Sequence, residues 1–474
     1  MPIDTQHKDY AARLTEWRML RDCIAGQGAV VAAGTAYVPQ LSGQLKADYD
    51  AYLKRGLFFG ATGRTLDGLT GMIFRKPPQL DAPDALARLL EEMTPDGLPL
   101  LGLAERITAE VVGVGRCGVL VDYPALDTGA MSRLEFDALA PRPYAALYMA
   151  EDIFNWRLEQ DAAGTRNILT QVRLYERAVE YKGLDEEEVL QIRLLFLDGG
   201  VYKQQVYRQN KDRQWEPWGA EIVPVQNGAA LDYIPFTFFG PQDTGPAIQK
   251  PPMLDLAHAN ISHFQTTVDY EHGAHLTGLP TAVICAPMAA PDVATAARKI
   301  GSGEIWQFDD PQAKAFYLEY TGQGLGALEA RLKAKEEYMA SLGARMLTPE
   351  RRAVEAAETA AIHRQGETSV LASIAGAVSD GLTQVIERLA AWAGIEQPAT
   401  YTLNHDFNPA EMGPQELLAL VQAWQAGAIA FTDLFQNLQR GEIIGPDRTP
   451  EDVQAEAEQQ DPFAGAMVAA NANS

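Results

Sequence analysis

Residues Met253 to Gly394 constrain the fold most. Leu254, Ala257, Ile261, Phe264 and Val268 recur at alternating spacings of three and four, which predicts one long amphipathic helix. Leu325, Leu328, Leu332, Met339, Leu342 and Met346 predict a second, with Lys335 where the next apolar residue belongs. Two such seams can pack on each other or on neighbouring copies. From Arg352 to Trp392 no proline interrupts an alanine-rich run, so the spacing predicts a third helix reaching ~60 Å at 1.5 Å per residue. A small mixed segment, Thr277 to Gly322, separates the first two helices. It has strand-like runs at Thr281–Cys285, Glu304–Phe308 and Lys314–Tyr320 and a short helix at Val293–Ile300.

The flanking regions read differently. Helical spacing is expected at Asp9–Ala25, Lys46–Phe59, Thr65–Phe74, Pro83–Met93 and Pro99–Val112. From Pro143 to Phe239 the period changes to two. Alternating runs at Ile168–Glu180, Val189–Phe196 and Val201–Tyr207, separated by polar turns, predict an antiparallel meander closed by Ile234–Gly240. Gly240 to Pro252 is rich in proline, glycine and glutamine and reads as a hinge. Tyr401–Phe407 is expected to be a strand and Pro414–Gln439 helical, broken near Gly427. A short helix can start at Thr449, and the last residues are expected to be disordered. The fold class is α+β.

The 474 residues carry a net charge of −24 with 47% hydrophobic content, which supports folding and argues against a surface that grips nucleic acid throughout. Cys23, Cys117 and Cys285 are too few and too far apart for a disulfide framework or a paired metal motif. No apolar leader is expected and no run approaches a membrane span. Gly113-Val-Gly-Arg-Cys-Gly118 spells a dinucleotide fingerprint, but a helix precedes it and a strand, Val119–Asp122, follows. The order the fingerprint needs is reversed, and the glycines read as a tight helix-to-strand turn. Asp269, His272 and His275 lie within two turns of the first long helix, beside His258 and His263. No supporting ligand shell is legible, so they read as polar helix surface. The acidic run Asp185–Glu188 reads as a solvated turn. No phosphate loop or nucleophile elbow occurs. No enzyme activity and no cofactor are expected. The weaker enzymatic alternative is a hydrolase using Glu151 and Asp152 with Glu304 or Asp309.

In order, these segments resemble the portal proteins of tailed bacteriophages, most of all a portal group long catalogued as a domain of unknown function. The resemblance runs from about Asp9 to Ile444. It rests on Trp17–Gly26 with Tyr37-Val-Pro39, Phe74-Arg-Lys-Pro-Pro78, Gly118-Val-Leu-Val-Asp-Tyr-Pro124 and the Pro251–Pro280 helix. It continues at Gly343-Ala-Arg-Met-Leu347, Glu358-Thr-Ala360, Ser369-x-Leu371, Gly413–Leu417 and Gly441–Ile444.

That resemblance implies a portal-like fold. A helical and β-meander wing would span 1–250, stem helices 251–276 and 323–346, and an α/β clip 277–322. A tunnel loop would follow at 347–352, then a long wing helix and strand at 353–412, a helical crown at 413–445 and an acidic tail at 446–474. It implies a ring, usually of twelve copies, at one capsid vertex. The ring would serve genome packaging and ejection and dock the large terminase and the head-tail adaptor, with major capsid and scaffolding proteins as further partners. The expected location is the virion, with the host cytoplasm during assembly and no membrane. Double-stranded DNA would pass non-specifically, facing Lys333, Lys335, Arg345, Leu347, Arg351 and Arg352. Pro287, Asp292, Arg298, Lys299 and Glu304 would lie on the docking clip. A ring of twelve such chains would carry roughly −290, which favours sliding over binding. Another head-completion protein built from similar helices is the structural alternative.

Overall fold

The computed structural model describes all residues except 1, 125–131, 162, 279–280, 286–313, 319–321, 347–368, 406, 408–413, 427, 441–442, 446–447 and 461–474. The chain is mixed α+β and divides into two units, Met1–His405 and Asp406–Ser474.

The first unit begins with helices where the three-four spacing places them, at Lys8–Ala25, Lys46–Arg55, Ala61–Ile73 and Leu100–Gly113. Trp17, Leu20 and Cys23 are buried along the first. Gly26, at φ 90°, ends it in a conformation few other residues adopt. Pro83–Met93 is less regular than its spacing suggests, giving one 3₁₀ turn and the short helix Ala87–Glu91.

The expected meander divides into two sheets. Ile153–Gln160, Asn167–Lys182, Asp185–Asp198, Val201–Gln209 and Trp215–Ile222 form five antiparallel strands in sequence order. Phe236–Phe239 does not close that sheet. It pairs with Cys117–Asp122, which in turn pairs with Tyr144–Met149. The reason is burial. All four residues of Phe236–Phe239 and all six of Cys117–Asp122 are buried, as in strands covered on both faces, whereas every meander strand keeps exposed positions. Polar side chains join the two sheets. Gln204 donates to Asp122 at 3.0 Å and the Tyr148 hydroxyl to Glu176 at 2.6 Å, while Arg193 bridges Glu176 and Gln204 at 2.6 and 2.9 Å. Buried polar groups are tolerated when paired in this way.

The glycine run at the start of Cys117–Asp122 is a packing device. A side-chain carbon on Gly118 would stand 2.3 Å from the Phe236 ring, and one on Gly115, at φ 82°, 2.9 Å from the Pro251 backbone. No space for a pyrophosphate follows from such close approach.

The third long helix is Val370–Trp392, shorter than its proline-free run predicts. Ser369 has extended backbone angles and its hydroxyl accepts from the Ala372 N–H at 3.1 Å, an N-cap that fixes the start. Twenty-three residues give ~35 Å rather than ~60 Å. Arg352 to Thr368 lie outside the described residues. Leu371, Ile374, Val378, Leu382, Val385 and Leu389 are buried along this helix. A side-chain carbon on Gly381 would meet the Phe239 ring at 2.3 Å, so the helix lies directly on the three-stranded sheet. Thr400–Thr402 pairs with Gln79–Asp81.

The second unit contains Pro414–Gln425, Phe431–Arg440 and Pro450–Gln460. The last of these starts directly after Thr449, where a short helix is expected in the acidic tail. Thr449 and Asp452 cap it reciprocally, a signal legible in Thr449-Pro-Glu-Asp452. Residues 461–474 lie outside the described residues.

Candidate functional site: the paired long helices

The first long helix is Leu254–Gly278 and the second Leu325–Arg345. They pack side by side. Thr281–Cys285 and Lys314–Leu318, between them in sequence, pair antiparallel in full register, Thr281 opposite Leu318 and Cys285 opposite Lys314. The rest of the insert, with Pro287, Asp292, Arg298, Lys299 and Glu304, lies outside the described residues, as do Leu347, Arg351 and Arg352. At the other end of the pair the Leu371 N–H donates to the Met346 carbonyl at 3.2 Å. The chain therefore leaves after Met346 and returns beside it.

The two apolar seams have different fates. That of the first helix faces the N-terminal helices. Phe264 meets Phe58 edge-on at 5.8 Å, and Gly56 approaches so closely that an added side-chain carbon would stand 2.4 Å from Val268. Asn260 accepts from the Thr62 N–H and hydroxyl, at 3.1 and 2.9 Å. The Tyr52 hydroxyl donates to Asp269 at 2.5 Å. Of the second helix only Met339 is buried, and Tyr338 is half exposed.

The contact between the two helices has a polar centre. The Lys335 ammonium donates to the Ser262 carbonyl at 2.6 Å and the Thr266 hydroxyl at 2.7 Å. Lys335 breaks the apolar seam because it reaches across to the backbone of its partner helix. Burial, reinforced by Arg331, pulls its pKa below the usual lysine value. One position on, Glu336 stands 3.3 Å from His263 Nε2, and Thr267 lies 3.3 Å from the other ring nitrogen. Burial lowers the His263 pKa against the opposing pull of Glu336.

Among the residues expected to face DNA, Lys333 and Arg345 are exposed on the second helix, whereas Lys335 is occupied by the first. The helix carries Arg331, Lys333, Lys335 and Arg345 against Glu329, Glu336 and Glu337, a small cationic excess in a chain of net charge −24.

His272 and His275 do share a helix face, but Arg55 approaches both, 3.3 and 3.2 Å from their ring nitrogens. A guanidinium in that place repels a metal cation, and Asp269 is engaged by Tyr52. Among the described residues no group of three histidine, cysteine or acidic side chains is arranged to hold a metal ion. The sequence hides this arrangement because Arg55 lies more than 200 positions away.

The carboxylates of the hydrolase alternative have structural partners. Arg21 donates to both oxygens of Glu110 at 2.7 Å and both of Glu151 at 2.9 Å. Burial pulls the Arg21 guanidinium down, but the bonds to Glu151 and Glu110 outweigh it and hold its pKa above the usual arginine value. Asp152 accepts from the Met149 N–H at 3.3 Å, and burial raises its pKa. Glu304 and Asp309 lie outside the described residues. No helix among the described residues is long and apolar enough to cross a membrane.

Residues 252–393 match a family described as a domain of unknown function, DUF4055. The match begins just before the first long helix and ends one residue past the third. No curated protein matches by sequence. Among solved structures, the chain is similar to one from the virion of a native gene transfer agent particle. Identity is 12%, coverage is 86% of this chain and 96% of that one, and the TM-score is 0.38. A chain from the neck of an empty gene transfer agent particle matches at 12% identity over 86% and 96% of the two chains, with a TM-score of 0.36.

Proposed function

We propose that this chain is a portal protein, a subunit of a ring that forms the DNA channel at one vertex of a phage-like capsid. The observation that carries the reading is the helix–module–helix unit. Two long helices lie side by side, two strands of the segment between them, Thr281–Cys285 and Lys314–Leu318, pair with each other, and the chain returns beside Met346 into a third helix. In this reading the pair is the stem, the module is the clip that docks the terminase motor and then the head-tail adaptor, and residues 347–352 are the tunnel loop. The N-terminal helices and β-sheets form the wing.

The electrostatics fit a conduit. A strongly acidic ring lets DNA pass, and a few cations on the second helix, Lys333 and Arg345 foremost, supply local, non-specific contact. Lys335 is assigned to holding the stem together rather than to DNA. The chain does no chemistry itself, and ATP hydrolysis belongs to the motor. Its other partners are the capsid and scaffolding proteins around the vertex, and its place is the virion.

Deleting residues 347–352 tests the assignment. The expected result is particles that assemble with normal rings but protect little DNA from nuclease. Normal DNA protection, or loss of the ring itself, would contradict it.

A further inference from the structure

The second and third strands of the five-stranded sheet outrun their neighbours. Ile153–Gln160 pairs no further than Leu174, and Val201–Gln209 begins its pairing at Gln191. Beyond these points Arg177–Lys182 and Asp185–Leu190 pair only with each other, turning at Gly183 and Leu184. At about 3.3 Å per residue this two-stranded arm projects roughly 20 Å. An isolated hairpin is marginally stable in water, and this one, though rich in charge, also exposes large apolar side chains. Leu184 is 102% exposed and Tyr181 72%, with Val179 and Leu190 about half exposed.

The register sorts these residues by face. Tyr181 stands opposite Glu186, Val179 opposite Glu188 and Arg177 opposite Leu190, so toward its tip one face carries Val179 and Tyr181 beside the carboxylates of Glu186 and Glu188, with Leu190 and Arg177 at its base. On the other face Lys182 pairs with Glu187 and Arg208 with Glu180. Glu186 and Glu188 have no cation partner among the described residues.

A complementary surface lies elsewhere on the chain, at the bend between Lys46–Arg55 and Ala61–Ile73. Leu57 is 70% exposed there. Lys54 precedes it by three positions and Arg64 follows it by seven, both exposed and neither paired with a carboxylate among the described residues. Arg64 lies over the Phe59 ring at 4.6 Å, which holds its guanidinium at the bend. In a chain of net charge −24, an exposed leucine close in sequence to two cations that meet no carboxylate among the described residues is the chemistry an acidic, apolar hairpin face would seek.

We propose that the arm docks on a second copy of this chain, its Val179–Tyr181 face with Glu186 and Glu188 seated on the surface formed by Lys54, Leu57 and Arg64. Two different faces meet, so the contact is heterologous and propagates around a ring. The inference rests on the ring reading only in requiring a second copy, and it adds which surfaces join.

Mass photometry of the full-length chain across a concentration series tests it, with three variants: Glu186→Lys with Glu188→Lys, Lys54→Glu with Arg64→Glu, and all four together. Each pair of reversals is expected to raise the concentration needed for assembly at least tenfold, and the fourfold variant to return within about threefold of the original. Unchanged assembly in either pair would assign the arm to a different protein and overturn the contact while leaving the ring reading standing. A fourfold variant no better than its parents would overturn the charge pairing. An unaltered chain that stays monomeric at every concentration would overturn both the contact and the ring.

Discussion

The first and second long helices carry nearly the same apolar spacing and end in opposite environments. Leu254–Gly278 is enclosed by the N-terminal helices, with Phe264 and Val268 fully buried. Leu325–Arg345 leans on it through Lys335 and Glu336 and leaves most of its surface open. A three-four repeat states that a helix has an apolar side, and the tertiary partner decides what covers it. Here one seam is sunk into the core of the subunit, while the other is half-buried against the first helix and leaves the far side of the second helix exposed.

The largest expected effect separates the two helices. Phe264→Ala should cost about 3–5 kcal/mol of folding stability by chemical denaturation, the usual range for emptying a buried aromatic site. Leu332→Ala, at a half-buried place in the seam of the second helix, should cost the isolated chain less, about 1–2 kcal/mol. Equal losses would erase the distinction.

A smaller effect concerns the polar centre between the helices. Lys335→Ala removes bonds to Ser262 and Thr266 and should cost about 1–2 kcal/mol. Lys335→Met restores the apolar repeat and should cost less, since a desolvated charge replaced by a fitting apolar group is often close to neutral. A methionine variant as weak as alanine would show that apolar packing cannot stand in for the ammonium's bonds.

The smallest effect is a pH dependence. The His263 pKa is lowered from 6.5 in the folded chain, so the unfolded chain binds the proton more readily. Its contribution to stability is full above pH 6.5 and declines as pH falls through 6.5 toward the folded value. Urea midpoints at pH 7.5 and 5.5 should differ less in His263→Gln than in the parent. An unchanged difference would remove His263 from the acid response.

Much of the first unit was legible in sequence, because its helices and meander strands are set by local period. Three things were not. Ser369 starts the third helix through a cap, and an unbroken alanine-rich run conceals a cap. Phe236–Phe239 joins Cys117–Asp122 rather than the adjacent meander, a pairing across more than 100 residues that period cannot choose. Lys335 looked like an exposed cation because its acceptors, Ser262 and Thr266, are about 70 positions away. Arg21, Arg55 and the Gln204–Asp122 link were likewise invisible, since ion pairs and buried polar networks leave no periodic trace. The projecting arm was hidden for another reason. Residues 177–190 alternate like any paired strand, and only the lengths of the neighbouring strands show that nothing flanks them.

The most direct measurement of the central claim is electron cryomicroscopy of the purified full-length chain. A closed ring around an open channel, with each Leu325–Arg345 helix lying against a neighbouring copy and Lys333 turned toward the axis, is the predicted result. A monomer at high concentration, or an assembly in which that helix touches no other copy, would contradict it.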